Sequence, residues 1–268
     1  MIKSFTIREL RTRYKGSFLG FLWTFINPLL QLLVYSLIFP FILRISEKNY
    51  AMILFVALIP WGFFTNSVQG ACNLVIGNSS LVTKVYFPRE ILSITHTLSG
   101  LCNTIFSYMI VFPMLLIFKI PLTISLIWLP LILLGQTILN LGFSLLVSSI
   151  NVFFRDLEYL INVGLMAVYF MTPIMYNITI LPEKYQKILL FVNPMAGYIV
   201  LYRNIMYYGI MKRPLLLIYV LAYSFFVFFA GYFVFQKLQK KPRCLLHVNN
   251  FFFCLLCAVR DADIGVAG

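Results

Sequence analysis

Few side chains in this sequence have the type and spacing that catalysis requires. His96 is one of two histidines, and it lies in a long stretch without Asp, Glu, Lys or Arg. A histidine in an apolar stretch either bonds to a neighbouring helix or serves a proton relay, and a relay needs an ionisable partner. Because no acid occurs in the long apolar stretches, we interpret His96 as a structural residue. The same absence disfavours proton-coupled and ion-coupled transport.

Metal, nucleotide and redox chemistry have equally little support. The sequence has no cluster of His, Cys, Asp and Glu with metal-ligand spacing, and no G-x-x-x-x-G-K-[ST] loop. Cys254 and Cys257 have C-x-x-C spacing, but no second ligand pair accompanies them. Asp156 and Glu158 sit at an ordinary helix start, where acids suit the helix dipole. We therefore expect no catalytic residue, no metal site and no cofactor in this chain.

The composition places these residues in a membrane. The 268 residues are 61% hydrophobic and 11% charged, which lies outside the range of soluble domains. A helix needs roughly 20 apolar residues to cross the hydrocarbon core, and six stretches fit. These predicted spans cover about 24–43, 51–74, 92–117, 124–149, 159–180 and 214–235. We predict an all-α integral membrane protein with six transmembrane helices.

The net charge of +13 is explained by membrane topology and not by nucleic acid. Lys and Arg cluster before the first predicted span and after the last one, and the positive-inside rule places such segments in the cytoplasm. Both termini are therefore predicted to be cytoplasmic. The segment 183–213 disagrees, because it carries five basic residues on the predicted outside.

The spacing of apolar and basic residues in 1–23 predicts a basic amphipathic helix that lies in the membrane interface. The apolar positions at helical spacing are Ile2, Phe5, Ile7, Leu10, Tyr14 and Phe18, and the charged face holds Arg8, Glu9, Arg11, Arg13 and Lys15. Trp23 would anchor at the boundary between water and lipid. This helix either only sets topology or moves with a gate and touches a cytoplasmic partner.

The connector between the second and third predicted spans is a charged amphipathic island, residues 77–93. Most membrane proteins join spans with a polar turn, whereas this island mixes apolar, aromatic and charged side chains. Its distinctive residues are Leu81, Val82, Lys84, Val85, Tyr86, Phe87, Pro88, Arg89 and Glu90. The mixture indicates a helix that lies against another protein at the membrane surface. A simple interfacial helix is the alternative.

The segment 183–212 has an apolar core that is too short to span and is broken at Pro194. This pattern is typical of a re-entrant helical hairpin, here external and between the fifth and sixth helices. Tyrosines concentrate at the same side of the predicted bundle. The candidates for contact with a substrate are Tyr169, Tyr176, Tyr198 and Tyr202. They suit either an interfacial aromatic belt or a ring of contacts to sugar faces.

Five pieces in order between residues 8 and 203 carry a family resemblance. They are Arg8 to Trp23 with Asn27-Pro28, Leu81 to Glu90, Phe154 to Leu157, Thr172 to Tyr176, and Asn193-Pro194 with Tyr202-Arg203. Together they resemble the permease subunit of ABC-2 type exporters. The similar subgroup moves polysaccharides or polyol phosphates, such as O-antigen, capsule or teichoic acid, across the bacterial cytoplasmic membrane.

The resemblance implies roles for the segments described above. It implies a gate helix at 1–23 with Arg8, Arg11, Arg13, Tyr14, Lys15 and Trp23, a coupling helix at about 77–93, and a channel near the four tyrosines. It also implies a homodimer with two copies of a separate cytoplasmic ABC ATPase, which would bind ATP and Mg²⁺. The cargo would be a lipid-linked glycan, and this chain would be a transport subunit and not an enzyme.

Three other functions stay open at this point. An ABC-2 exporter of a small lipid or drug would share the coupling helix but not need the N-terminal helix and the external hairpin. A membrane-embedded acyl- or glycosyltransferase would require clustered His, Asp or Glu near one membrane face, and His96 has no such companions in the sequence. A structural scaffold would leave the island at 77–93 unexplained.

Residues 242–268 depart from the family pattern. They hold three of the five cysteines and two of the eight acids, and their apolar part is too short to span. We expect the six-helix domain to occupy 24–241 and the tail to be atypical and without function. Truncation after Lys241 should therefore leave polysaccharide export, measured at the cell surface, at the level of the full chain. Loss of export in the truncated chain would contradict this expectation.

Overall fold

The computed structural model describes residues 2–14, 20–43, 49–78 and 88–239, and every regular element in these ranges is helical. Within these ranges ten α-helices follow one another: α1 (Ile2–Tyr14), α2 (Trp23–Leu43), α3 (Tyr50–Cys72), α4 (Leu74–Gly77), α5 (Glu90–Ile117), α6 (Leu129–Asn151), α7 (Leu157–Met171), α8 (Glu183–Val192), α9 (Pro194–Met206) and α10 (Pro214–Gln239). Short 3-10 turns lie at Gly20–Leu22, Ile124–Trp128 and Ile178–Ile180. The protein is an all-helical membrane protein, as predicted.

Among the described residues, four helices are long and apolar enough to cross a membrane: α3, α5, α6 with the 3-10 turn before it, and α10. The bent pair α8 and α9 makes a fifth if it counts as one span. The four helices coincide with the second, third, fourth and sixth predicted spans. Helix α2 falls on the first predicted span and α7 on the fifth. Helix α7 has 15 residues, fewer than the roughly 20 that a crossing requires.

Helix α7 ends at Met171, well before the predicted boundary near residue 180, and Pro173 is the reason. A residue that precedes proline is driven out of the helical region, and Thr172 has φ −79° and ψ 136°. The chain then stays irregular until the 3-10 turn at Ile178–Ile180. The predicted end of this helix is therefore wrong, although the proline that stops it is visible in the sequence.

Helix α9 occupies the centre of the bundle, and all 13 of its residues are buried. It starts after a bend of 111° from α8. Asn193 caps it: the side-chain oxygen accepts from the N–H groups of Met195 at 3.0 Å and Ala196 at 3.3 Å. Pro194 takes the first helical position, where its missing N–H costs nothing. The break expected at Pro194 is thus a capped helix start.

Helices α6 and α10 pack with their backbones in contact. A Cβ on Gly142 would lie 2.7 Å from the backbone N of Phe228, and a Cβ on Gly231 would overlap the Gly142 carbonyl. Small residues let membrane helices approach this closely, and van der Waals packing then holds them together without a hydrophobic driving force. The two glycines therefore fix α6 against α10.

A buried polar stripe on α6 fastens the helix to α3. Its members are Gln136, Asn140, Ser144, Ser148 and Asn151, each at most 1% exposed. Gln136 Nε2 donates to the Pro60 carbonyl at 2.7 Å, and Asn151 Nδ2 donates to the Cys72 carbonyl at 2.7 Å. These bonds lie near the middle and the end of α3. Because polar groups in apolar surroundings need partners, the stripe sets the register of the two helices.

The bundle has two different ends. At one end, which we call the hairpin end, α8 and α9 meet and Asn49 Nδ2 donates to the Phe118 carbonyl at 3.1 Å. Tyr50 donates to the Met175 carbonyl beside it. At the opposite end, which we call the N-helix end, α4 packs against α5 and α6, and α1 lies on α5. The candidate sites are distributed between these two ends.

The close contact of α6 with α10 yields the first stability prediction from the structure. Gly142→Leu should lower the free energy of unfolding by about 2–3 kcal/mol, because overpacking against a backbone cannot relax as a flexible side chain would. The measurement is the thermal unfolding midpoint of the full chain in detergent. Gly164→Leu on α7 is the matched control, since a Cβ there meets nothing within 4 Å. Equal midpoints for the two variants would contradict the proposed packing role.

Candidate functional site

Helix α1 lies along α5 and presents Thr6 and Glu9 to it. Thr6 is 9% exposed, and its hydroxyl donates to the Ile2 carbonyl at 3.0 Å. Ile2 and Ile7 are each 40% exposed. The helix therefore docks through a mixed polar face and leaves apolar side chains available to a lipid interface.

A short polar contact joins α1 to the bundle. His96 Nδ1 on α5 lies 2.5 Å from Glu9 Oε1, and the side chains are 9% and 27% exposed. His96 Nε2 lies 3.2 Å from the backbone carbonyl of Asn66 on α3. An imidazolium has a donor on each ring nitrogen and so fits both acceptors. One side chain thereby connects three helices, α1, α3 and α5.

Gly70 makes room for this contact. A Cβ at position 70 would overlap the Nε2 and Cε1 atoms of His96. The ring thus lies directly on the backbone of α3, one turn after the carbonyl that it contacts. This packing on the backbone of α3 sets the plane of the imidazole ring. The ring in turn sets the position of the Glu9 carboxylate.

The sequence interpretation of Glu9 and His96 is corrected by this geometry. We expect Glu9 on the charged face of α1 and His96 without an acidic companion. The second expectation is wrong, because Glu9 turns towards α5 and meets His96. The expectation that His96 bonds to a neighbouring helix is confirmed by its contact with α3.

The remaining residues of the predicted gate helix are only partly described. Arg8 is exposed, and its guanidinium lies 5.6 Å from the centroid of the Phe5 ring. Trp23 is half-buried at the first residue of α2. The side chains of Arg11, Arg13 and Tyr14 and the whole of Lys15 lie outside the described residues.

Most of the predicted coupling helix also lies outside the described residues, namely Leu81, Val82, Lys84, Val85, Tyr86 and Phe87. The structure describes both of its flanks. Helix α4 precedes it, and Pro88, Arg89 and Glu90 lead into α5. Glu90, in the first turn of α5, accepts a hydrogen bond from Gln236 near the end of α10. The start of α5, where the predicted coupling helix ends, is therefore tied to the last described helix.

Arg89 borders a small cavity at the N-helix end, with a volume of about 20 Å³. Its lining also includes Val75 of α4, Phe153 after α6 and Phe235 of α10. Because the cavity holds little more than one water molecule, these elements are nearly in contact. A displacement of Arg89 would thus press on α4, α6 and α10 together.

The start of α7 is joined to the end of α3 by two polar contacts. Asn73 Nδ2 donates to Glu158 Oε2 at 3.0 Å, and Gln69 Nε2 donates to Asn162 Oδ1 at 3.1 Å. All four side chains lie at the N-helix end. Helix α7 is consequently held near its start, and its middle presents a long exposed apolar face.

Arg203 anchors α9 at the hairpin end. It is 4% exposed, and its Nη1 donates to the Tyr176 carbonyl at 2.8 Å. Its Nη2 donates to the Ile174 carbonyl and its Nε to the Ile53 carbonyl at 3.4 Å. Two of these carbonyls belong to the irregular segment after α7, which has no helix to satisfy them. The guanidinium supplies the missing donors.

The four candidate tyrosines separate into two pairs. Tyr198 and Tyr202 on α9 are 0% exposed. The Tyr198 hydroxyl lies 2.7 Å from Ser224 Oγ, and the Tyr202 hydroxyl donates to Gln136 Oε1 at 2.9 Å. Both therefore bond within the bundle. Tyr169 and Tyr176 are half-buried; the ring of Tyr169 lies 5.6 Å from that of Trp61, and the Tyr176 hydroxyl donates to the Met171 carbonyl at 2.8 Å.

Two contacts that matter here were not predicted from the sequence: the pairing of Glu9 with His96 and the backbone clamp formed by Arg203. Glu9 is the only acid before Glu47 in a basic segment. An isolated acid there and an isolated histidine in an apolar stretch indicate that the two side chains pair. From the sequence, Arg203 is one of the basic residues on the predicted outside and part of the family resemblance, but its backbone partners are not predicted. An intramembrane cation normally has a specific partner. Arg203 directly follows the charge-free run 188–202, and this position is the sequence feature that indicates a partner for it.

Comparison with known proteins gives a consistent family assignment. The family described as ABC-2 type transporter matches residues 1–207. The O-antigen export system permease protein RfbA of Myxococcus xanthus is 35% identical over 212 residues, 77% of this chain and 80% of the relative. A Klebsiella pneumoniae protein of the same name is 30% identical over 237 residues, 88% of this chain and 91% of the relative. The polysialic acid transport protein KpsM of Escherichia coli is 24% identical over 240 residues, covering 86% and 90%.

The contact of Glu9 with His96 generates a prediction about the docking of α1. Glu9→Gln should weaken docking by about 1–2 kcal/mol, because it removes a charge-assisted bond from a partly buried site. Tryptic cleavage within α1 of the full chain in detergent should then accelerate about tenfold. The exposed Glu183→Gln on α8 is the control and should cleave at the unaltered rate.

A double variant tests whether the two side chains act as a pair. His96→Asn alone should accelerate cleavage as Glu9→Gln does, and combining the two should add little. Additive effects of the two changes would show that Glu9 and His96 stabilise α1 independently.

Proposed function

Because this chain belongs to the ABC-2 type transporter family, we infer that it is the membrane-spanning permease subunit of a polysaccharide exporter. The observation that carries this conclusion is the match over residues 1–207 together with relatives named for O-antigen export and polysialic acid transport. The same relatives favour polysaccharide over a small lipid or a drug as cargo. The chain has a transport role in a bacterial membrane and is a multi-pass protein.

We propose that ATP is hydrolysed by a separate ABC ATPase subunit, which would hold ATP and Mg²⁺. The support is the family, in combination with a sequence that has no phosphate loop of its own. The cargo would be a lipid-linked polymer of the O-antigen, capsular or teichoic-acid kind. A polymer must slide, so weak and repeated contacts would line its path.

We propose six membrane crossings, with α2 as the first and α7, continued by the irregular segment that Arg203 satisfies, as the fifth. The N-helix end would face the cytoplasm with both termini, and α8 and α9 would enter from outside as a re-entrant pair. The burial of every residue of α9 supports this arrangement, because irregular backbone at membrane depth is tolerated only when protein covers it. The membrane would be the cytoplasmic membrane.

A homodimer is the proposed assembly. An apolar stripe on α7 faces away from the bundle: Tyr159 is 73% exposed, Val163 70%, Met166 65% and Phe170 62%. Six helices in one chain are also too few to enclose a wide polymer path. Two copies related by a two-fold axis would supply both the missing wall and a self-complementary interface.

The proposed coupling runs from the ATPase into the bundle through residues 77–93. Leu81, Val82, Lys84, Val85, Tyr86 and Phe87 would seat in a cleft of the ATPase, with Pro88, Arg89 and Glu90 behind them. Movement of this segment would pass to α10 through the Glu90–Gln236 bond and to α6 through the cavity beside Arg89. Such linked elements move as a rigid body.

The proposed gate is α1 with Arg8, Arg11, Arg13, Tyr14, Lys15 and Trp23. The Glu9–His96 contact would hold it on α5 until the coupling segment moves. Tyr169 and Tyr176 are our candidates for contact with the glycan because they lie at the surface of the hairpin end. Tyr198 and Tyr202 would reach a channel only if α9 moved, since their hydroxyls are bonded inside the bundle.

The decisive experiment replaces Phe87 and Arg89 with Ala in the full chain, co-expressed with its ATPase. Aromatic and Arg anchors at an interface contribute about 2 kcal/mol or more each, so co-purification of the ATPase should fall at least about tenfold. Surface polysaccharide should fall with it. The matched control is Phe233→Ala with Lys237→Ala, an exposed aromatic and cation on α10 at the same end.

Two outcomes of this experiment carry information. Retained association without export would place the defect in force transmission, which still agrees with coupling through this segment. Unchanged association and unchanged export would contradict the coupling role while leaving the family assignment intact.

A further inference from the structure

Three basic residues gather at the hairpin end, and membrane topology does not explain them. Lys187 lies on α8, and Lys212 and Arg213 immediately precede α10. In the orientation proposed above they face outside, where the positive-inside rule disfavours Lys and Arg. All three are exposed. Their shared position points to a ligand that requires positive charge.

The three cations border one groove between α8 and the start of α10. Its volume is about 510 Å³. Apart from the cations, the lining is apolar and aromatic, with Leu190, Phe191, Leu215, Leu216 and Tyr219 among its residues. Leu215 is 80% exposed and Phe191 69% exposed. The groove thus combines a charged rim with an apolar floor.

The back of the groove is built from two bonded residues. The rings of Phe191 and Tyr219 stack with centroids 5.8 Å apart and planes 25° apart. The Tyr219 hydroxyl donates to the Phe191 carbonyl at 2.6 Å. These contacts hold α8 at a fixed distance from α10, so the groove is a formed feature and not a gap between loose helices.

A second cavity shares two of its lining residues with the first and has more polar side chains in its lining. It measures about 210 Å³, and Lys212 and Arg213 border both cavities. Its lining includes Asn177, Thr179 and Asn204 among apolar residues. The two cations therefore stand between an apolar groove and a cavity of mixed character, which suits an amphipathic anion.

The charges of the rim are not neutralised by acids in the part of the chain that the structure describes. There, no carboxylate lies within ion-pair distance of these cations. Arg213 Nη2 donates to Gln186 Oε1 at 3.3 Å, and Lys212 Nζ lies 4.9 Å from the centroid of the Tyr208 ring. Both partners orient the cations without cancelling their charge. An anion bound between them would meet preset donors.

We propose that this groove binds an anionic phospholipid. The phosphate would lie among Lys187, Lys212 and Arg213, an acyl chain would lie on Leu190, Leu215 and Leu216, and the polar headgroup would enter the adjoining cavity. Clustered basic residues at a membrane surface bind anionic headgroups. The groove chemistry does not depend on which face of the membrane the hairpin end occupies.

Two other occupants fit the groove less well. The glycan portion of the proposed cargo has no acyl group to cover the apolar floor. A second copy of this chain, docked by a two-fold axis through the groove, would bring three cations against the same three cations. A phospholipid satisfies both the charge and the apolar surface.

The test uses the full chain in detergent and native mass spectrometry with added phosphatidylglycerol or phosphatidylcholine of the same acyl chains. The unaltered chain should retain phosphatidylglycerol in preference. The variant K187Q/K212Q/R213Q should bind it at least about tenfold more weakly, since it removes all three cations that would contact the anionic headgroup. The control K184Q/R155Q/K237Q removes three exposed cations outside the groove and should bind within about twofold of the unaltered chain.

Additional measurements assign the source of the anion. Unchanged thermal unfolding midpoints would show that both triple variants are folded, and K187Q alone provides a milder change with a smaller loss of binding. Equal retention of the two lipids, or full binding by the groove variant, would overturn the proposal. The proposal would also be overturned if inorganic phosphate or a soluble anionic polysaccharide raised the thermal unfolding midpoint more than phosphatidylglycerol does.

Discussion

The fold depends on how the bundle satisfies backbone carbonyls where α7 stops. Pro173 ends that helix within the bundle, and carbonyls freed inside apolar surroundings cost free energy unless a donor reaches them. Arg203 reaches the carbonyls of Ile174 and Tyr176. To deliver the guanidinium, α9 must pass through the centre of the bundle, and this path explains why α9 is buried on every side and why α8 is left to lie outside it.

The two ends of the bundle are built for different purposes. At the N-helix end, polar contacts connect α1, α3, α5, α7 and α10 through side chains that can separate and re-form. At the hairpin end, a buried helix with a capped start and a guanidinium clamp resists separation. Glycine contact between α6 and α10 forms a rigid connection from one end to the other. This division suits a subunit that receives force on one side of a membrane and presents a passage on the other.

Apolar run length was sufficient to predict the helical class and the helices α3, α5, α6 and α10. Run length does not predict the end of α7, because Pro173 stops the helix inside a stretch that carries no charge. Tertiary contacts account for the other differences. The side of α1 on which Glu9 lies depends on His96, 87 positions along the chain, and the burial of Tyr198 and Tyr202 depends on Ser224 and Gln136. Composition describes how residues partition into a membrane and says little about which polar groups meet inside it.

The order of residues along the chain gives the Arg203 clamp a consequence for biosynthesis. Its acceptors, at Ile53, Ile174 and Tyr176, are all made before Arg203 leaves the ribosome. A helix with a buried arginine is a poor candidate to enter lipid alone, yet here each acceptor already exists when α9 is synthesised. The helix can therefore pass from the insertion machinery into a prepared site, and α10 follows to close over it.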